Sequence, residues 1–191
     1  MRLTTYLISE ISPLLMHNPI SMTTGKKGLA AKQIPTPEDE AAAGRYLDEH
    51  DNFQIPAMAV KKCIVSGAKG MRIAKQAATS VLMGTVFPAE EWYPLLDVKT
   101  LKPMKGDRYV IDTRRVVVDG NGIMRSRPKI TGWACKVSFE LDDLITDEVV
   151  LECLSRGGPR IGILDYRPQK SGWFGRFTAQ LLAEKPINSK K

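Results

Sequence analysis

The chain has 191 residues, with 43% hydrophobic and 26% charged content, ordinary values for one domain with its own core. No apolar run approaches the length that spans a bilayer. The opening "MRLTTYLISEISPLL" lacks the apolar block and small-residue cleavage site of a signal peptide, so a cytoplasmic protein without membrane contact is expected. The formal charge is +7, and the span from Lys99 to Lys136 carries the excess, with ten basic and three acidic residues. A local excess of this kind points to a polyanionic partner, nucleic acid being the commonest.

In chain order, "RLTTYLIS" (2–9) reads as a central strand, because apolar residues occupy both alternating sets. Residues 14–56 contain Pro19, Gly25, Gly28, Pro35, Pro37 and the pair Lys26–Lys27. They read as a long functional loop, with a short helix from about Pro37 to Tyr46. Residues 55–75 read as a helix. Pro56 suits its first turn, and Ala57, Val60, Ile64, Ala68 and Met71 share one face. Gly67 and Gly70 mark close packing or an early end. "TSVLMGTVF" (79–87) reads as a strand.

Residues 108–143 are the clearest β region. Asp119-Gly120-Asn121-Gly122 is hairpin-turn chemistry, since these residue types accept positive φ. Trp133, Cys135, Val137, Phe139 and Leu141 alternate with Ala134, Lys136, Ser138 and Glu140, as in a half-buried strand. Pro128 belongs at an edge, at a bulge or outside the ladder. Thr146 looks like an N-cap with Asp147 and Glu148 behind it, and Val149, Val150, Cys153 and Leu154 form a buried stripe. Gly157 is expected to end that helix. "RIGIL" then reads as a short strand, "DYRPQKSGW" as a loop, "FGRFTAQLL" as a closing strand and 185–191 as a polar tail.

Without its insertions this order approaches βαββαβ, an α+β sandwich of the ferredoxin-like or RNA-recognition-motif-like (RRM-like) type. It gives one domain over 1–184, with a long loop after strand 1 (insertion 14–54) and a basic β-hairpin insertion (99–131).

Cys63, Cys135 and Cys153 form no CxxC pair, and His17 and His50 are the only histidines. No metal site, disulfide framework or cofactor motif is indicated. The candidate phosphate contacts are Lys26, Lys27, Arg114, Arg115, Arg125, Arg127, Lys129, Arg167, Lys170 and Arg176. On a strand Arg125 and Arg127 point to the same face, where guanidinium groups can follow a phosphate backbone. Among Tyr6, Tyr109, Trp133, Tyr166 and Trp173, the last is the best exposed stacking candidate, in a loop beside Gly172. His17 could act as a general base, although a loop histidine with local hydrogen bonds is the commoner case. Asp165, flanked by arginines, suggests structural pairing.

The segment "GGPRIGILDYRPQKSGWFGRF" (157–177) resembles the glycine-rich segment of the RAMP superfamily, the RNA-recognition-fold proteins of CRISPR systems. Gly157–Gly158 match the family's helix end, and Gly162, Gly172, Gly175, Arg176 and Phe177 match the loop and last strand. "ISPLLMHN" is similar to the stretch after the family's first strand, and the basic hairpin lies where backbone subunits carry a thumb-like finger. The resemblance implies a non-catalytic subunit that oligomerises along single-stranded nucleic acid, RNA favoured over DNA. Binding would be independent of sequence, beside other effector-complex subunits, and the glycine loop would admit the backbone. Two alternatives stand beside it. One is a single-stranded DNA-binding or annealing protein of a phage or mobile element. The other is a metal-independent endoribonuclease using His17.

Overall fold

In a computed structural model, which describes residues 1–19, 35–118 and 120–186, the chain opens with β1 (Arg2–Glu10). Thr4, Tyr6 and Ile8 point inward and are fully buried. The two-residue β2 (Leu14–Leu15) follows. Helix α1 (Pro37–Ala43) is capped by Thr36, whose hydroxyl accepts from the Asp39 N–H. A short β3 (Gln54–Pro56) leads into α2 (Ala57–Gly67), which buries Val60, Cys63 and Ile64.

The next elements are β4 (Arg72–Ile73), β5 (Gln76–Ala77), α3 (Ala78–Thr85), β6 (Val86–Pro88) and β7 (Trp92–Asp97). The long hairpin β8 (Val110–Val118) and β9 (Asn121–Ile130) precedes β10 (Trp133–Leu141). Helix α4 (Asp147–Arg160) and β11 (Phe177–Pro186) complete the chain.

The fold is mixed α/β, with antiparallel sheets and four α-helices among the described residues. The main sheet runs β11-β1-β10-β7-β3, with β6 also on β10. Its central register pairs Tyr6 with Val137 and Ile8 with Cys135. The hairpin joins β2 in a separate sheet, β2-β9-β8. One core cluster gathers Tyr6 and Ile8 of β1, Trp133, Val137 and Phe139 of β10, and the inner faces of α2 and α4. The helices meet at small residues. A Cβ on Gly67 would stand 2.2 Å from the Cys153 carbonyl oxygen, and one on Gly157 2.7 Å from that of Cys63.

Several sequence expectations are corrected. Residues 79–87 are mostly helix, because Ala78 and Leu82 form an i, i+4 buried pair. Helix α2 stops at Gly67 rather than near 75, and β4–β5 fill the remainder. Helix α4 runs through Gly157 to Arg160. Gly157 and Gly158 serve close packing, a Cβ on Gly158 falling 2.3 Å from the Phe177 carbonyl oxygen. "RIGIL" is therefore not a strand but the end of α4 and a turn. The loop after β1 contains β2, whose pairing partner β9 lies far along the chain. Thr146 occupies the N-cap position of α4 without a capping side-chain bond. Pro128 lies inside β9, and its carbonyl accepts from the Met16 N–H. Its missing donor thus faces the short β2 rather than the β8 ladder. Among the described residues, no helix is long and apolar enough to cross a membrane.

Candidate nucleic-acid interface

Residues 161–176 connect α4 to β11 by folding the backbone on itself. The Ile163 N–H donates to the Gly175 carbonyl, the Gly175 N–H to that of Pro13, and the Asp165 N–H to that of Leu15. The glycines serve this self-packing. A Cβ on Gly172 would stand 1.7 Å from the Tyr166 carbonyl oxygen, and one on Gly175 2.0 Å from that of Ile163. They bring the chain against itself, which accounts for glycine at these positions without a ligand. Leu164 (φ 60°) and Tyr166 (φ 48°) are held in left-handed backbone on either side of Asp165. Strain of this kind, about 1 kcal/mol or more per residue, persists only where the surroundings enforce it.

The structure distributes the candidate cations unevenly. Arg114 and Arg125 face each other across the hairpin, and both are engaged within the fold. Arg114 pairs with Asp112 and lies over the rings of Tyr166 and Phe174, which pins the hairpin base to the connecting segment. Arg125 pairs with Glu40 at 2.8 Å. Arg127 is only 8% exposed, with Nε 2.7 Å from Asp165 Oδ2. That N–H is not aligned on the oxygen, and Arg127 Nη1 is buried without a hydrogen-bond partner. Arg176 donates to the Pro159 carbonyl, and Arg167 to the Leu164 carbonyl and the Gln169 side chain. Arg115 is exposed, packs its guanidinium over Gly122 and makes no ion pair among the described residues. Lys129 is half-buried and Lys170 exposed. Lys26 and Lys27 lie outside the described residues.

Trp173 is 50% exposed and packs tilted against Phe174, ring centroids 4.8 Å apart. Gly172 is half-buried. Tyr6 and Trp133 are core residues. At the hairpin's outer end Val117 and Met124 are exposed apolar side chains.

A further positive surface lies beside the 161–176 segment. A groove of about 820 Å³ between α2, α3 and the 3₁₀ turn Pro168–Lys170 is lined by Lys61, Lys62, Arg167 and Lys170 over Met58, Val65 and Met83, with no carboxylate in its wall. Lys61 is partly committed, donating to the Met83 carbonyl and lying over the Phe87 ring. A second recess of about 290 Å³ continues it along Ile161–Leu164. Lys61 and Lys62 were not among the sequence candidates. On a helix, two adjacent lysines opposite the buried stripe look like any solvated face. Only the tertiary approach of Arg167 and Lys170 makes them part of a cluster.

His17 follows β2 and lines a small pocket of about 180 Å³ with Tyr46, Leu164 and Asp165. The Tyr46 hydroxyl donates to the His17 carbonyl at 3.1 Å. Burial lowers the His17 pKa below its ordinary value. The Asp165 carboxylate opposes this, and Arg127 and Arg125 add to it. Burial pushes the Cys63 and Cys153 thiols up to about 12 and about 11, and both are buried. Among the described residues, no group of three or more His, Cys, Asp or Glu is placed to hold a metal ion.

No family model matches the chain, and no curated protein matches it. Its fold is similar to that of a chain in the cryo-EM structure of the Type III-B Cmr-beta bound to cognate target RNA. The TM-score is 0.56 at 11% identity, over 97% of this chain and 61% of that one. The likeness is one of fold.

Proposed function

We propose that this protein is a non-catalytic, single-stranded RNA-binding subunit of the RAMP type, which assembles with further copies or other subunits along the strand. The observation that carries this reading is the groove at Lys61, Lys62, Arg167 and Lys170, four cations with no carboxylate between them. A strand's phosphates match such a surface. Exposed Trp173 and Arg115 extend the contact, Trp173 by stacking on a base and Arg115 by pairing with a phosphate. The exposed Val117 and Met124 at the end of the hairpin suit a wedge between bases.

The strand order β11-β1-β10-β7, with α2 between β1 and β7 and α4 between β10 and β11, supports a ferredoxin-like, RRM-like domain. Insertions over 14–54 and 99–131 would carry the loop and the finger. The Cmr-beta chain of similar fold belongs to an assembly bound to RNA, which supports RNA and effector-complex partners.

The test is a salt titration of binding to a single-stranded RNA 12-mer. The double variant Lys62→Ala/Lys170→Ala should weaken binding to every sequence alike. It should also flatten the slope of log K against log salt by about 1.4, as two lost phosphate contacts predict for single strands. Unchanged affinity and slope would remove the groove from the reading. Competition with the matched deoxyribo-oligomer reports on the sugar, because the 2′-hydroxyl is what separates the two at a backbone site.

A further inference from the structure

The unit made by α2, β4, β5 and α3 carries charge of one sign. From Asn52 to Ala89 the sequence has five basic residues, Lys61, Lys62, Lys69, Arg72 and Lys75, and no acidic one. Lys61 and Lys62 line the groove. The other three lie in the link between α2 and α3, which forms the small hairpin β4–β5. All three are exposed, and none makes an ion pair among the described residues.

The link sits at the end of the groove, whose wall takes Met58, Lys62, Val65 and Ser66 from α2 and Met83 from α3. Helix α3 folds back along α2. The Lys61 ammonium donates to the Met83 carbonyl, and the Ala78 N–H to that of Met71. Lys69 continues the wall, because Lys62, Ser66 and Lys69 fall at i, i+4 and i+7 on one helix face. The C-cap Ala68 keeps right-handed helical backbone, and the Lys69 N–H donates to the Ser66 carbonyl at 3.3 Å. The rise from Lys62 to Lys69 is about 10 Å, the length of about three stacked nucleotides. A strand laid in the groove therefore reaches the link without leaving α2.

The turn of the hairpin is held in a costly conformation. Arg72 pairs with Ala77 and Ile73 with Gln76, which leaves a two-residue loop of Ala74 (φ 47°) and Lys75 (φ 67°). Positive φ at both loop residues is the type I′ pattern, for which Asn-Gly is the favoured pair. Alanine and lysine carry a Cβ that this backbone strains. Glycine at 75 would relieve the strain but remove a charge. Arg72 Nη1 lies 3.5 Å from the Lys75 carbonyl oxygen, so both residues sit at the turn. Glu152 of α4 is offset by Arg156, 3.7 Å away, whose Nη2 donates to the Lys69 carbonyl.

We propose that Lys69, Arg72 and Lys75 form a second phosphate-binding site for the strand that occupies the groove, reached along Lys62, Ser66 and Lys69. This rests on the RNA-binding reading above and lengthens its footprint. The contacts are to phosphates, so they carry no base preference.

Salt titrations followed by fluorescence anisotropy test it, with uridine and adenosine RNA 12-mers as probes. The hairpin variant Lys69→Gln/Arg72→Gln should bind both strands less tightly. Its slope of log K against log salt should flatten by about 1.4, as two lost phosphate contacts predict for single strands. The turn variant Ala74→Asn/Lys75→Gly separates binding from folding. It should melt about 2–4 °C higher, since the turn is relieved. It should nevertheless bind less tightly, with a slope flatter by about 0.7. A purely structural hairpin would not gain stability and lose affinity together. Circular dichroism checks both folds, and if the turn variant does not fold, the hairpin variant decides.

Wild-type affinity and slope in the folded hairpin variant, beside a loss in Lys62→Ala/Lys170→Ala, overturn the second site and leave the RNA-binding reading standing. A turn variant that melts higher and binds as tightly as wild type also overturns it. A wild type that binds neither strand overturns both the RNA-binding reading and the second site.

Discussion

At the residue scale, the decisive property of each arginine is whether the fold has already used its charge. Arg125 and Arg127 are the pair that the sequence suggests mutating first, yet each is an internal ion pair. Their replacement reports on folding as much as on binding. Arg127→Ala should lower unfolding stability by about 1–3 kcal/mol in urea denaturation, because it strands a carboxylate that is only one-third exposed. Replacing exposed Arg115 should leave stability within about 0.5 kcal/mol.

His17 gives a prediction about pH. Its folded pKa lies below the unfolded value of 6.5, chiefly through burial. Between those two values the unfolded chain binds more protons than the folded one, so stability is full above pH 6.5 and falls as pH drops below it. The melting temperature should decline from pH 7 to pH 5. His17→Asn should show a shallower decline over that window, and an identical slope would contradict the assignment.

At the element scale, the hairpin divides into a docked base and a free end. The base is held by Arg114 over Tyr166 and Phe174, by Glu40 of α1 and by β2. The free end carries Arg115, Val117 and Met124, all exposed. Arg114 and Arg125 are directly paired, so residues 115–124 can be replaced by Asn-Gly, which suits a two-residue type I′ turn. The shortened protein should melt within a few degrees of wild type, and its RNA affinity should fall. An unaltered affinity would show that the hairpin end takes no part. Strand β10 was legible because a period of two is written directly in its side chains, and β1 because apolar residues on both alternating sets mark a central strand. Helix α3 was not. Its short apolar run carries no periodicity that separates helix from strand, and the choice falls to packing of Ala78 and Leu82.

At the scale of the whole molecule, the net charge of +7 is a statement about partners rather than fold. Purified protein should carry nucleic acid, seen in its absorbance ratio, in particles that collapse with RNase and survive DNase. A clean monomer without affinity for either acid would refute the assembly. The sequence by itself determined the α+β class, the central strand β1, the inward faces of β10 and α4, the hairpin turn and the presence of a large local cationic excess. These depend on periodicity, turn chemistry and composition, all of which are local. The tertiary structure decided which cations remain free. Arg125 meets a glutamate 85 positions away, and Lys61 and Lys62 of α2 meet Arg167 and Lys170 across a groove. It also brought His17 beside Tyr46 and Asp165. Neutralisation and clustering are properties of distance in space, and no spacing along the chain encodes them.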